Sequence, residues 1–365
     1  MNIACKLIFI ITMGVALLFG FLHNFITGYN FERLHIFLFN LCTGGSLILF
    51  YSNKFKKYDF IIFLFFISSF VYAILSFFHY YKPAIFIALG LFLIVECIRR
   101  KNFGSIKRFF DIKNNVSNKF RHASLLCLSI GLIISICAII NEYTNLYYIK
   151  RLSLDSFFLG FSFPISLITF SVIFDLIKEK IESKKILGEI CFWVINLGVI
   201  TFFIFIITEQ IIFELIISLI LGFCVFFVFY VFIKNCGHIQ QKYFLTSGMF
   251  FLLMTAVTGI LYIVVYINSP HNELLLNKII EYHRLISLYG WNLSGLAVIV
   301  RFDDFPIKLD STYAIALHWL TVAILAPIAM SSRIFTIITL AMYLIYLKLL
   351  FFSKSSVKDE QIVNN

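Results

Sequence analysis

The eight cysteines of this 365-residue sequence contain no C-x-x-C pair and no C-x-x-C-H motif. Covalently attached haem c and thiolate zinc sites are therefore not expected. The sequence also lacks any long polar stretch, so no soluble domain is left over beside its apolar segments. We assign residues 1–352 to a single polytopic membrane domain and residues 353–365 to a short polar cytoplasmic tail.

Apolar residues dominate what remains. They make up 61% of the chain, the mean hydropathy is +0.95, and apolar runs close to the ~20 residues of a transmembrane helix recur along the sequence. The pattern predicts an all-α integral membrane protein with about 12 transmembrane helices. The predicted spans are 5–27, 34–52, 58–80, 83–98, 122–145, 156–176, 186–207, 211–233, 243–267, 282–300, 313–330 and 334–352.

The cations fall mainly on alternate sides of these spans. Of the 30 Lys and Arg residues, seven lie on the side opposite the N-terminus and the other 23 on the N-terminal side. The positive-inside rule therefore predicts that both termini are cytoplasmic, in the cell (plasma) membrane. The same rule accounts for the net charge of +11, so the expected partner is the lipid bilayer and no nucleic acid. The longest cationic loop, 99–121, also contains phenylalanines, and we expect it to lie on anionic lipid headgroups.

Histidine is the residue type that points to chemistry. Five of the eight histidines are predicted at or near the outer face: His23, His35, His79, His271 and His283. A histidine in or beside a span is costly unless it is paired, hydrated or bound to a metal, so each is a functional candidate. An interfacial imidazole that makes one hydrogen bond is the alternative.

Two of these histidines open spans that run inward. His35 begins span two, which continues to Gly44 and Gly45, and His283 begins span ten. On span ten, His283, Ser287, Gly290 and Ser294 have the spacing i, i+4, i+7 and i+11, which predicts one helical face. That face is a groove of small residues headed by an imidazole. It suits close helix packing and equally suits the flat face of a porphyrin whose iron binds the imidazole.

The chain has twelve predicted spans, predicted cytoplasmic termini, histidines at the outer ends of spans two and ten, and the spacing His283-x6-Gly290-x4-Gly295-x5-Arg301. In these features it resembles the haem-copper oxidase subunit I superfamily and the NnrS-like membrane haem proteins. The resemblance implies a haem b whose iron is held by His35 and His283. It places Ser287, Gly290, Gly44 and Gly45 in the same cofactor site.

The sequence departs from that superfamily where copper would bind. No histidine occurs between His122 and His238, and Glu281 and Leu285 occupy the positions two residues from His283. We therefore expect no complete terminal oxidase. The resemblance implies a reduced relative without copper, acting as an electron carrier, a sensor or an accessory protein, with its redox partner or other membrane subunit left open.

Other classes of protein fit the same topology. A secondary transporter is one alternative, although the loop after span two lacks a Gly-Asp-Arg-Gly pattern and the two halves do not repeat. It predicts a polar cavity at mid-membrane lined by Pro164, Asn196 and Asn292. A lipid-linked transferase is disfavoured by the short outer loops. A structural membrane protein without a cofactor stays open.

Overall fold

A computed structural model describes residues 3–23, 25–26, 28–53, 60–144, 150–177, 185–237, 240–301 and 312–353. Every regular element in these ranges is helical. Ten of the helices are long and apolar enough to cross a membrane. The chain is thus an α-helical, multi-pass membrane protein, as the apolar runs predict.

The described ranges contain twelve continuous helical segments, which we number in chain order. Three of them, α2, α10 and α11, contain a π-helical stretch, at Phe37–Gly45, Ile286–Asn292 and Leu320–Leu325. The segments are α1 (Ile3–Leu22), α2 (Phe31–Ser52), α3 (Phe60–Phe77), α4 (Tyr81–Phe103), α5 (Val116–Thr144), α6 (Lys150–Leu176), α7 (Lys185–Ile207), α8 (Ile211–Asn235), α9 (Gln240–Asn268), α10 (273–300), α11 (Thr312–Ala329) and α12 (Arg333–Phe352).

Helices α2 and α10 lie at the centre of the bundle. An 18-residue stretch of α2 is entirely buried, whereas 17% of the corresponding stretch of α8 is buried. Residues 285–300 of α10 are buried as well, against α2, α6, α9, α11 and α12. Both central helices carry small and polar residues, which favour contacts between helices, while the more uniformly apolar α8 and α9 face outward.

Both central helices begin earlier than their apolar runs. An asparagine caps each one: Asn30 Oδ1 accepts a hydrogen bond from Arg33 N at 3.0 Å, and Asn272 Oδ1 accepts one from Leu275 N at 3.2 Å. These caps satisfy backbone N–H groups of the first helical turn. Helix α10 therefore starts at Glu273, nine residues before the predicted start of span ten. We call the end of the bundle that holds these two caps the outer end, following the predicted orientation.

Helix α6 runs through Pro164 without a break in its helical assignment. The carbonyl of Pro164 accepts a hydrogen bond from Ser124 Oγ of α5 at 2.6 Å. Helices α5 and α6 also approach closely where Gly131 meets Gly160. Pro164 is thus part of a helix contact. The predicted tail beyond Ser353 and the imidazole of His238 lie outside the described residues.

Candidate functional site

His35 sits one turn into α2, where its side chain is 8% exposed. Its Nδ1 lies 2.9 Å from the hydroxyl of Tyr289 on α10. Gly20 of α1 packs against the ring, and a Cβ built there would lie 2.8 Å from Nδ1. The imidazole therefore lies between α1 and α10, in contact with both.

A small cavity opens beside His35, and we call it the outer cavity. Its volume is about 60 Å³, and its lining includes Glu32, Glu281 and Arg284. Arg284 forms an ion pair with Glu32, which joins α10 to α2. A water molecule needs roughly 10–15 Å³ of such space, so the outer cavity can hold water next to His35.

His283 lies on the side of α10 that faces away from the outer cavity. Its Nδ1 is 3.2 Å from Thr258 Oγ1 of α9, and that hydroxyl donates to the carbonyl of Met254 at 2.8 Å. Since the threonine proton is used in this way, we assign Nδ1 of His283 as the donor to Thr258. The other nitrogen, Nε2, is then an unprotonated acceptor.

His283 lines a larger cavity, the lateral cavity, between α6, α7, α8, α9 and α10. Its volume is about 210 Å³, and most of its lining is apolar. Ser287 lies one turn from His283 and also lines it. The Ser287 side chain is 8% exposed. One imidazole and one hydroxyl therefore mark the α10 wall of an otherwise mainly apolar space.

The structure brings α2 and α10 together at their outer ends but does not bring the two imidazoles together. His35 contacts Tyr289, which follows His283 by six residues, or about one turn and two-thirds at 3.6 residues per turn. His283 consequently points away from the α2 side of α10. The outer cavity and the lateral cavity share no lining residue.

The glycines assigned to the cofactor site pack against protein side chains. A Cβ on Gly290 would lie 2.5 Å from Cγ of Phe251, and one on Gly44 would lie 2.5 Å from Cδ1 of Ile165. A Cβ on Gly45 would lie 2.9 Å from Cε1 of Phe65. The small residues of α2 and α10 thus permit close helix packing, the first of the two uses considered for the groove.

Sequence reasoning missed a cluster of aromatic and imidazole groups around Tyr289. His318 of α11 is fully buried, its Nε2 lies 2.7 Å from the carbonyl oxygen of Tyr289, and its ring stacks on Tyr346 at 4.6 Å. Tyr343 meets the Tyr289 ring edge-on at 5.5 Å. Tyr289 lies in a π-helical stretch, where carbonyls leave the regular hydrogen-bond ladder and can accept from side chains. This role of the Tyr289 carbonyl could not be predicted from the sequence, because α-helical spacing assumes that each carbonyl accepts a hydrogen bond within its own helix.

Three polar atoms of this cluster are buried without a hydrogen-bond partner among the described residues. They are Nδ1 of His318 and the hydroxyls of Tyr343 and Tyr346. Unpartnered buried groups of this kind are uncommon in proteins. The cluster therefore has unused hydrogen-bonding capacity in the centre of the bundle.

The two asparagines expected to line a transport cavity are hydrogen-bonded within the protein. Asn292 Nδ2 donates to Ser162 Oγ of α6 at 2.6 Å, and Asn196 Nδ2 donates to a carbonyl of its own helix at 2.8 Å. Neither these two asparagines nor Pro164 lines the lateral cavity. Asn292 thus joins α10 to α6, a common use of an amide in a membrane interior.

Comparisons of the chain with protein-family models, with curated proteins and with solved structures gave no match. The resemblance to haem-copper oxidase subunit I therefore rests on the quoted residues alone. In the ranges that the structure describes, no group of three or more His, Cys, Asp or Glu side chains could hold a metal ion.

Proposed function

We propose that this chain is a twelve-span plasma-membrane protein, with both termini cytoplasmic, that binds a lipid-soluble ligand in the lateral cavity. The observation that carries the proposal is the cavity itself, a mainly apolar space of about 210 Å³ with His283 and Ser287 on one wall. Ligand sites in proteins combine apolar walls with a few convergent polar groups in this way.

The position of the lateral cavity supports a ligand that arrives through the bilayer. Three of its five walls, α7, α8 and α9, are peripheral helices whose most apolar stretches are at most 22% buried. The other two walls, α6 and α10, belong to the core. A molecule dissolved in the lipid can therefore reach the cavity between peripheral helices without crossing the core.

The polar wall indicates which end of the ligand binds there. With Nδ1 of His283 directed to Thr258, Nε2 is the nitrogen left to accept a hydrogen bond. Ser287 can donate or accept beside it. The ligand class that fits is a largely apolar molecule whose polar group donates a hydrogen bond, such as a hydroxyl.

Haem b between His35 and His283 stays a prediction. Its support is the contact of α2 with α10 and the engaged Nδ1 of His283, since a ligating histidine usually donates its second nitrogen to a fixed acceptor. The arrangement of the side chains does not fit an iron shared by both imidazoles, because they line different cavities. A shared haem would require one imidazole to leave its present hydrogen bond.

The test is a cavity-filling substitution. Gly222 lines the lateral cavity, and a Cβ there would make ordinary contact with Ile260 Cδ1 at 3.5 Å, so Gly222→Leu directs its added atoms toward the cavity. Gly90→Leu is the matched control, because a Cβ at this exposed glycine meets nothing within 4 Å. Protein is purified from haem-sufficient membranes, and the bound small molecules are extracted and identified by mass.

We expect one lipid-soluble species in near-stoichiometric amount, retained by Gly90→Leu, reduced in His283→Ala and lost in Gly222→Leu. A preparation without any such species, or Gly222→Leu protein that retains it, would refute the proposal. The visible spectrum of the same samples tests haem b separately. A bis-histidine spectrum that disappears in both His35→Ala and His283→Ala would establish the shared haem instead.

A further inference from the structure

The segment that joins α4 to α5 at the inner end is ordered by its own turns. Gly104 ends α4 with φ of +74°, a value that favours glycine, and a short 3₁₀ turn follows at Ile106–Phe109. Asp111 Oδ1 accepts a hydrogen bond from Lys113 N at 2.9 Å. We call residues 100–113, the last turn of α4 and this linker, the basic segment.

Phe109 fastens the linker part of the basic segment to the bundle. Phe109 is 6% exposed and stacks on His122 of α5 with ring centroids 4.3 Å apart. It also contacts Phe192 of α7 at 5.7 Å. Phe109 is inserted between α5 and α7, whereas residues 106–108 and 110–113 on either side of it are exposed.

The neighbours of Phe109 include large apolar side chains that the bundle does not cover. Ile106 is 49% exposed, Phe110 is 70% exposed and Ile112 is 70% exposed. Phe110 lies against Trp193 of α7 with centroids 5.2 Å apart. Three such side chains within seven residues would be unfavourable in water but suit the boundary between headgroups and acyl chains.

Cations alternate with these apolar side chains. The segment contains exposed Arg100, Lys101, Lys107, Arg108 and Lys113 and a single acidic residue, Asp111. Arg100 pairs with Glu96 of α4 at 3.3 Å. Within the part of the chain that the structure describes, the other four cations form no ion pair.

We propose that the basic segment is a binding site for the headgroups of anionic phospholipids. The exposed Ile106, Phe110 and Ile112 enter the interface, and Lys107, Arg108 and Lys113 meet the phosphates. Charge decides the occupant, since a net-positive surface fixed beside the end of a membrane helix faces the headgroup layer directly, and anionic lipids attract such clusters. The proposal does not depend on what the lateral cavity binds.

Trp193 supplies the reporter for a test. The whole protein is placed in lipid nanodiscs that contain phosphatidylglycerol or phosphatidylcholine brominated on one acyl chain, and quenching of tryptophan fluorescence is compared between the two lipids. Trp193→Phe gives the signal that comes from this position. Trp291 is 1% exposed, which shields it from lipid chains.

Each cation near an anionic surface contributes about a fivefold preference. We therefore expect quenching of Trp193 to show that phosphatidylglycerol binds there at least about fivefold more strongly than phosphatidylcholine. The preference should shrink in 1 M salt, where the Debye length is about 3 Å. Lys107→Gln with Arg108→Gln and Lys113→Gln should abolish it. Lys107→Arg with Lys113→Arg, which keeps the charges, should preserve it, as should Lys278→Gln at the outer end.

Two outcomes would overturn the proposal. Equal quenching by the two lipids in the unaltered protein would show that the segment does not select charge. If the preference for phosphatidylglycerol persists in the triple glutamine variant, other cations produce it. If Phe110→Ser with Ile112→Ser leaves the lipid preference and the stability of the protein unchanged, the claim that these side chains enter the interface is refuted.

Discussion

Replacing Tyr289 by phenylalanine removes one hydroxyl and leaves the ring in place. The hydroxyl is 2.9 Å from Nδ1 of His35, both residues are at most 8% exposed, and the ring remains packed against Phe39 and Tyr343. The substitution therefore isolates one buried hydrogen bond between α2 and α10. A buried group left without its partner costs about 1–3 kcal/mol.

The outer cavity sets where in this range the effect should fall. Because it lies beside His35 and can hold water, a water molecule can replace part of the lost bond, and we expect a loss near 1 kcal/mol. Such a loss corresponds to a fall in melting temperature of about 1–2 °C for a chain of this length, because the entropy of unfolding grows with the number of residues. The assay is thermal unfolding in one detergent, followed by tryptophan fluorescence.

Tyr343→Phe is the matched control. Its hydroxyl is buried without a partner among the described residues, so its removal should leave stability unchanged or raise it. The reasoning is refuted if Tyr289→Phe melts at or above the temperature of Tyr343→Phe.

Three further predictions concern helix contacts. Glu142→Gln should destabilise the protein by up to about 3–5 kcal/mol, because it removes the carboxylate whose Oε2 lies 3.0 Å from the buried Arg33 guanidinium. An unchanged melting temperature would show that water solvates the ion pair. Arg33→Met combined with Glu142→Met should recover much of that loss, and a double variant no more stable than Glu142→Gln would contradict this. Gly131→Ala should cost about 1–3 kcal/mol, because a Cβ on Gly131 would overlap the backbone of Gly160 and force α5 and α6 apart. Gly90→Ala should be neutral, since a Cβ there meets nothing within 4 Å. Equal melting temperatures for the two variants would contradict a tight α5–α6 contact at Gly131.

The helical segments follow closely from local sequence. Apolar runs of about 20 residues locate all twelve, because a chain in lipid must satisfy its backbone within each segment. The same runs place the starts of α2 and α10 three and nine residues too late. Charged residues interrupt the apolar pattern near both starts, at Glu32 and Arg33 in α2 and at Glu273 and Lys278 in α10. Capping by Asn30 and Asn272, not apolarity, decides where these helices begin.

The candidate site was predictable only as a set of helices. The spacing on α10 predicted a groove of small residues suited to close helix packing, and the family resemblance paired α10 with α2. The outer ends of α2 and α10 do meet, through Glu32, Arg284, His35 and Tyr289. The partner of His35 was not predictable, since the Tyr289 hydroxyl is brought to it by packing between helices 254 positions apart in the chain. The same holds for His318, whose acceptor is a carbonyl in a π-helical stretch.

By itself, the sequence determined that this is a helical membrane protein, where its apolar helices lie and which of them carry imidazoles. Those properties depend on apolarity and on contacts between residues a few positions apart, so short stretches of sequence are enough to predict them. Only the tertiary structure decided that His35 and His283 face different cavities. The direction of a side chain across a bundle depends on how each helix is rotated against its neighbours, and that rotation is set by the packing of all of them together.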